Sequence, residues 1–164
     1  MYNLKQFRQL IVKTIGEQRL YSKAAVNLLL GTAAKESDFG TYLRQLGGGP
    51  ARGAFQMEFA TEKDTWVNYL YLGRAKRREA IYEISGVRSY LNNGAMEWNL
   101  AYQICMARIH YRRIPEPFPA HDDIEGLGRY WDIHWNRNPE KGTVKQFIEK
   151  WDQFIGRDCL KKQY

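Results

Sequence analysis

The chain predicts a mainly α domain built round a buried central helix, with at most a small β-hairpin. Three observations predict it. Apolar residues recur at helical spacing along most of the sequence. One stretch, Ala24 to Ala34, is apolar nearly all round, as suits a helix enclosed on every side. Extended signals are confined to Tyr42 to Leu46 and Ala54 to Met57, which flank the turn-rich Gly47-Gly48-Gly49-Pro50.

Each element follows from local rules. Leu4, Phe7, Ile11 and Ile15 share one helical face. Ser22 is placed to cap the central helix. Thr61 with Asp64 forms a capping-box pattern ahead of Trp66, Tyr69 and Leu70. Ala80, Ile81, Ile84 and Val87 predict a shorter helix, and Trp98, Ala101, Cys105 and Ile109 one stripe of another. Pro115, Pro117 and Pro119 then force an extended loop. Asp122 can start the next helix, with Ile124, Leu127, Trp131 and Trp135 on one face. Thr143 and Gln146 make a second capping box before Val144, Phe147, Ile148, Trp151 and Ile155.

Length and composition bound the answer. The 164 residues fit one domain, 1–164, with no repeat and no linker. A chain of this size can bury roughly 70% of its unfolded surface, so it needs no staples. Cys105 and Cys159 show no CxxC and no metal spacing, and are read as reduced thiols. No apolar run reaches the length of a membrane span, and the first residues lack the pattern of a secretory leader. The five Trp, eleven Tyr and seven Phe can fill a core and can also line a sugar cleft. The net charge of +7 draws the chain to polyanions. Its densest basic cluster, Arg74, Lys76, Arg77 and Arg78, reads as a solvated helix face and not as a nucleic-acid module.

The chemistry points to one stretch. Glu36 closes the apolar helix, and burial there would raise its pKa toward neutrality, as a general acid near pH 7 requires. Ser37 can orient the chain as it leaves the helix, and Phe39-Gly40 turns it away. The triple glycine permits close backbone approach but lacks phosphate-loop spacing. Gln56 stands between Phe55 and Met57, and its amide suits sugar hydroxyls or N-acetyl groups, or the loop backbone.

Glu36-Ser37, a Gly-rich interval, and Gly53-Ala54-Phe55-Gln56-Met57 together resemble the Glu-Ser … Gly-Leu-Met-Gln-Ile pattern of soluble lytic transglycosylases and goose-type lysozymes. Asn99-Leu100-Ala101-Tyr102 resembles that group's third motif, and the chain is most similar to its small bacteriophage members over residues 22–135. The resemblance implies a lysozyme-like helical fold and cleavage of the β-1,4 bond between N-acetylmuramic acid and N-acetylglucosamine. It implies Glu36 as catalytic acid, with Ser37, Phe55, Gln56, Met57, Glu58, Tyr102 and Tyr130 toward the glycan. Tyr130 is nominated because the group's Ala-Tyr-Asn-Ala-Gly string is absent and Arg129-Tyr130-Trp131 … Trp135-Asn136 falls near its place. The expected partners are peptidoglycan glycan strands and, in a particle, other phage structural proteins, with no specific nucleic acid. Synthesis is expected in a host cytoplasm and action in the wall or periplasm, at lysis or from a virion. No cofactor or metal is expected: His110, His121 and His134 are irregularly spaced and there is no HExxH.

Most glycosidases use two carboxylates. Asp38, Glu58 and Asp64 are the nominees for the second, whereas a transglycosylase works with one glutamate and the substrate's acetamido group. The alternatives are a non-catalytic lysozyme-like component that binds wall or builds a phage particle, a basic nucleic-acid-binding protein, and a metal hydrolase.

Overall fold

A computed structural model describes residues 1–138, 140 and 142–156; Cys159 lies outside the described residues. The architecture is mainly helical. In chain order the helices are α1 (Leu4–Glu17), α2 (Lys23–Ser37), α3 (Phe59–Thr65), α4 (Ala75–Ser85), α5 (Ala95–Trp98), α6 (Leu100–Arg112), α7 (Ile124–Trp131) and α8 (Val144–Phe154). Two π-helical turns, Trp66–Leu70 and Asp132–Asn136, continue α3 and α7. The extended segments amount to two isolated antiparallel bridges, Arg44 with Arg52 and Arg52 with Met57.

Helix α2 is the axis. Ser22 caps it by accepting from the Ala25 amide at 3.0 Å, and every residue from Ala25 to Ala34 is buried. Helices α1, α6, α7 and α8 pack round it. Gly31 makes the closest approach possible: a Cβ there would lie 2.2 Å from the Phe147 ring of α8. Phe7, Leu29, Trp131 and Phe147 fill this half of the core. The other half gathers Met57, Trp66, Ile81, Met96, Tyr102 and Cys105. Helix α6 serves both halves, presenting Ile104, Ala107 and Tyr111 to the first and Tyr102, Met106 and Ile109 to the second.

Four local expectations shift. Helix α3 begins at Phe59, so Thr61 is inside its first turn and caps nothing; Glu58, in extended conformation, holds the N-cap position. Trp98 leaves the predicted stripe: the chain breaks at Asn99, whose side chain caps α6 by accepting from Tyr102 N at 3.0 Å, and Trp98 is exposed on α5. The cap of α7 is Asp123, one residue later than expected. Val87 lies beyond the end of α4 but remains buried. The capping box at Thr143 and Gln146 forms as read.

Candidate active-site cleft

Glu36 is the penultimate residue of α2 and is half-buried. Its Oε1 accepts the indole N–H of Trp131 at 2.9 Å, a bond that joins α2 to α7 across 95 positions of sequence. Trp131 is fully buried, so the donor cannot turn away. Beneath this pair the Thr32 and Tyr111 hydroxyls meet at 2.8 Å, and Thr32 Oγ1 donates to Leu28 O at 2.7 Å. Burial holds the Tyr111 phenol well above its ordinary pKa. Tyr42 donates to the Glu36 carbonyl at 3.0 Å; burial, then Asp38 and Glu36, raise its pKa and keep it protonated.

Ser37 joins the two halves of the motif. Its hydroxyl donates to Ala54 O at 2.7 Å and to Ala33 O at 3.1 Å, and accepts from Gly40 N at 2.8 Å. From the other side Gln103 Oε1 accepts the Ala54 amide at 2.8 Å. Gly53 fits between them with φ +77; a Cβ there would lie 2.4 Å from Met96 O, so both backbone angle and space require glycine. The loop so clamped presents Gln56 with φ +47, a left-handed value that a non-glycine holds only under external constraint. Its Nε2 donates to Gly53 O at 2.8 Å, the loop-backbone alternative read from the sequence.

These elements enclose a cleft of about 540 Å³. One wall carries Lys35, Glu36, Tyr42 and Gln45; the second carries Gln56, Met57, Glu58 and Thr61; the third carries His110 and Trp135 to Asn138. Its size suits a ligand of a few rings. Of the three nominees for a second carboxylate, Glu58 lines the cleft. Asp38 is engaged by Lys150 at 2.7 Å, and Asp64 by Arg113 and Asn68, each at 2.7 Å.

No protein-family model, no curated protein and no solved structure matches this chain. The cleft must therefore be read from its own groups.

The structure brings Glu36, Gln56, Met57 and Glu58 together. It does not bring the other four nominees to the cleft surface. Ser37 is fully buried and spends its hydroxyl on backbone. Phe55 is 1% exposed and packs between Phe7 and Trp135. Tyr102 is fully buried in the other half of the core, donating to Glu62 Oε1 at 2.5 Å. Tyr130 packs against Phe118 and Tyr111 and donates to Glu116 O at 3.0 Å. Two aromatics line the cleft among the described residues: Tyr42, and Trp135, which the π turn carries and Phe55, Tyr111 and His110 back. The sequence placed Trp135 on one helical face with Ile124, Leu127 and Trp131, with no local signal that this face meets a cleft.

His110, set aside above as a metal ligand, is 7% exposed and lines the cleft. It bonds His134 O at 3.0 Å, and since a carbonyl can only accept, Nε2 carries the proton. Burial pushes its pKa down to about 4, so the ring is neutral near pH 7. Among the described residues no group of three His, Cys, Asp or Glu is arranged to hold a metal ion, and no helix is long and apolar enough to cross a membrane.

Proposed function

We propose that this chain cleaves peptidoglycan at the β-1,4 bond between N-acetylmuramic acid and N-acetylglucosamine, with Glu36 as general acid and then base. The observation that carries the reading is a half-buried carboxyl, fixed by the Trp131 indole N–H at 2.9 Å, on the wall of a cleft that also holds Gln56 and Glu58. A carboxyl whose orientation is fixed by a buried indole can deliver a proton along a defined direction to a glycosidic oxygen. Gln56 and Asn136 offer amides for hydroxyl and acetamido groups, and Trp135 offers an aromatic wall for a pyranose. After the bond breaks, Glu36 takes a proton from the attacking oxygen. Attack by the muramyl C6 hydroxyl yields a 1,6-anhydro end, and attack by water yields a reducing end. Glu58 is the group that could stabilise the positive charge developing on the sugar.

Action in a bacterial wall, on behalf of a bacteriophage, belongs to the same proposal. Glu36→Gln should leave the melting temperature within a few degrees and cut the release of soluble fragments from purified sacculi by about 10²–10⁴. Mass spectrometry of wild-type digests then separates anhydro from reducing muramic ends. Intact glycan after wild-type treatment, or undiminished cleavage by the variant, overturns the reading.

A further inference from the structure

A second groove, of about 350 Å³, shares Met57 with the Glu36 cleft. At its floor is Glu62 of α3, a carboxylate that is only 3% exposed. Its two hydrogen bonds fall on one oxygen: Oε1 accepts from Tyr102 at 2.5 Å and from Asn92 at 2.6 Å. Tyr102 is in turn fixed by the Trp66 indole N–H at 2.8 Å. Among the described residues, Oε2 receives no donor and no cation pairs with Glu62. Glu97, the other acid of the groove, differs: Arg44 at 2.8 Å and Arg52 at 3.6 Å neutralise it. Arg52 is further committed to the Gly49 and Ala51 carbonyls.

Beside these charged groups and Asn92 and Asn93, the rest of the lining is largely apolar. Phe59 and Tyr90 face one another with ring centroids 6.0 Å apart, and Met57, Met96 and the exposed Leu91 lie with them. A buried carboxylate without a cation is costly, and desolvation does raise the Glu62 pKa. An anionic ligand would worsen the cost, and a neutral donor would relieve it only in part. A cation on an apolar stem removes it, by a charge-assisted bond to Oε2 and by contact with the aromatic faces.

We infer that this groove binds a primary ammonium carried on an aliphatic chain, the chemistry of a basic diamino-acid side chain. Resting on the glycosidase reading above, the ammonium is that of a stem peptide attached to the glycan in the neighbouring cleft. Tyr102 and Asn92 are then positioning residues that hold Glu62, while Phe59 and Tyr90 enclose the stem.

The test is titration of the full chain with Nα-acetyl-lysine methylamide, followed by calorimetry and by NMR. The control is the Nα,Nε-diacetyl compound, which has the same stem and no charge. The charged compound should bind saturably and the control at least about tenfold more weakly. Glu62→Gln should weaken binding by a similar factor. Phe59→Ala, at a half-exposed position, keeps the test decisive where the Glu62 variant fails to fold; it should weaken binding several-fold. Equal binding of the two compounds, no binding of either at millimolar concentration, or a neutral chito-oligosaccharide in their place overturns the site. These measurements involve no turnover, so their failure leaves the Glu36 reading standing. Acetylating the free amines of purified sacculi should raise the substrate concentration for half-maximal cleavage and leave the saturated rate unchanged. An unaltered concentration dependence rejects the stem-peptide assignment.

Discussion

Ser37 has one hydroxyl and three backbone partners, and this explains why a serine following Glu36 matters without touching the cleft. Replacing it with alanine leaves Ala54 O and Gly40 N without that partner inside the fold. Ser37→Ala should lower unfolding stability by about 1–3 kcal/mol in urea titrations. It should also loosen the Gln56 loop and reduce any cleavage; reduced cleavage with unchanged stability would mean a direct substrate contact instead. The position of Glu36 at the end of an apolar helix was legible, because helix periodicity and the following glycines are local signals. Its Trp131 donor was not, because nothing local links residues 95 positions apart. Tyr130 was a reasonable nominee by type, yet its ring and hydroxyl are consumed by Phe118 and Glu116.

Among the elements, capping boxes separate what local pattern can and cannot settle. At Thr143 both reciprocal bonds form, so Thr143→Ala should cost about 1 kcal/mol. That corresponds to a calorimetric melting temperature lower by about 2–4 °C. Thr61 with Asp64 has the same look and caps nothing. The Arg52–Met57 bridge, with two bonds of 3.0 Å, holds the chain extended up to Glu58 and lets the helix start at Phe59. A tertiary restraint thus outranks a short motif. The π turn over Asp132–Asn136 is the other such case: it continues α7 and carries Trp135 and Asn136 to the cleft. Helical periodicity alone placed Trp135 on the face of Trp131 and said nothing of what that face would meet.

For the whole molecule, two buried titratable groups pull stability in opposite directions with pH. His110 titrates at about 4 in the fold against its ordinary 6.5, so between those values the unfolded chain binds more protons. Its contribution is present above pH 6.5 and is lost as pH falls toward 4, on the order of 3 kcal/mol. Glu62, raised from its ordinary 4.5, contributes most below that value and loses its contribution as pH rises through the folded one. The difference between wild type and His110→Gln isolates the histidine. The gap in unfolding free energy should narrow steadily from pH 7 to pH 4, and a pH-independent gap would contradict the buried neutral ring. The net charge of +7 makes a further prediction. Against an anionic wall, activity on sacculi should fall as salt rises past ~0.1 M, where the Debye length is about 10 Å. A flat salt profile would remove charge steering from the mechanism.

The mainly helical class, the enclosed helix α2, the Ser22 and Thr143 caps and the carboxylate at the end of α2 all follow from sequence, because each depends on spacing within a turn or two. Tertiary structure alone decided which groups share the cleft. It paired Glu36 with Trp131, brought Glu58 rather than Asp38 or Asp64 to the cleft, buried His110, and withdrew Ser37, Phe55, Tyr102 and Tyr130 into the core. The reason is physical: periodicity marks a residue as inward-facing, but whether inward means core or cleft depends on how close the neighbouring helices can pack, and that distance is set by contacts far apart in the chain.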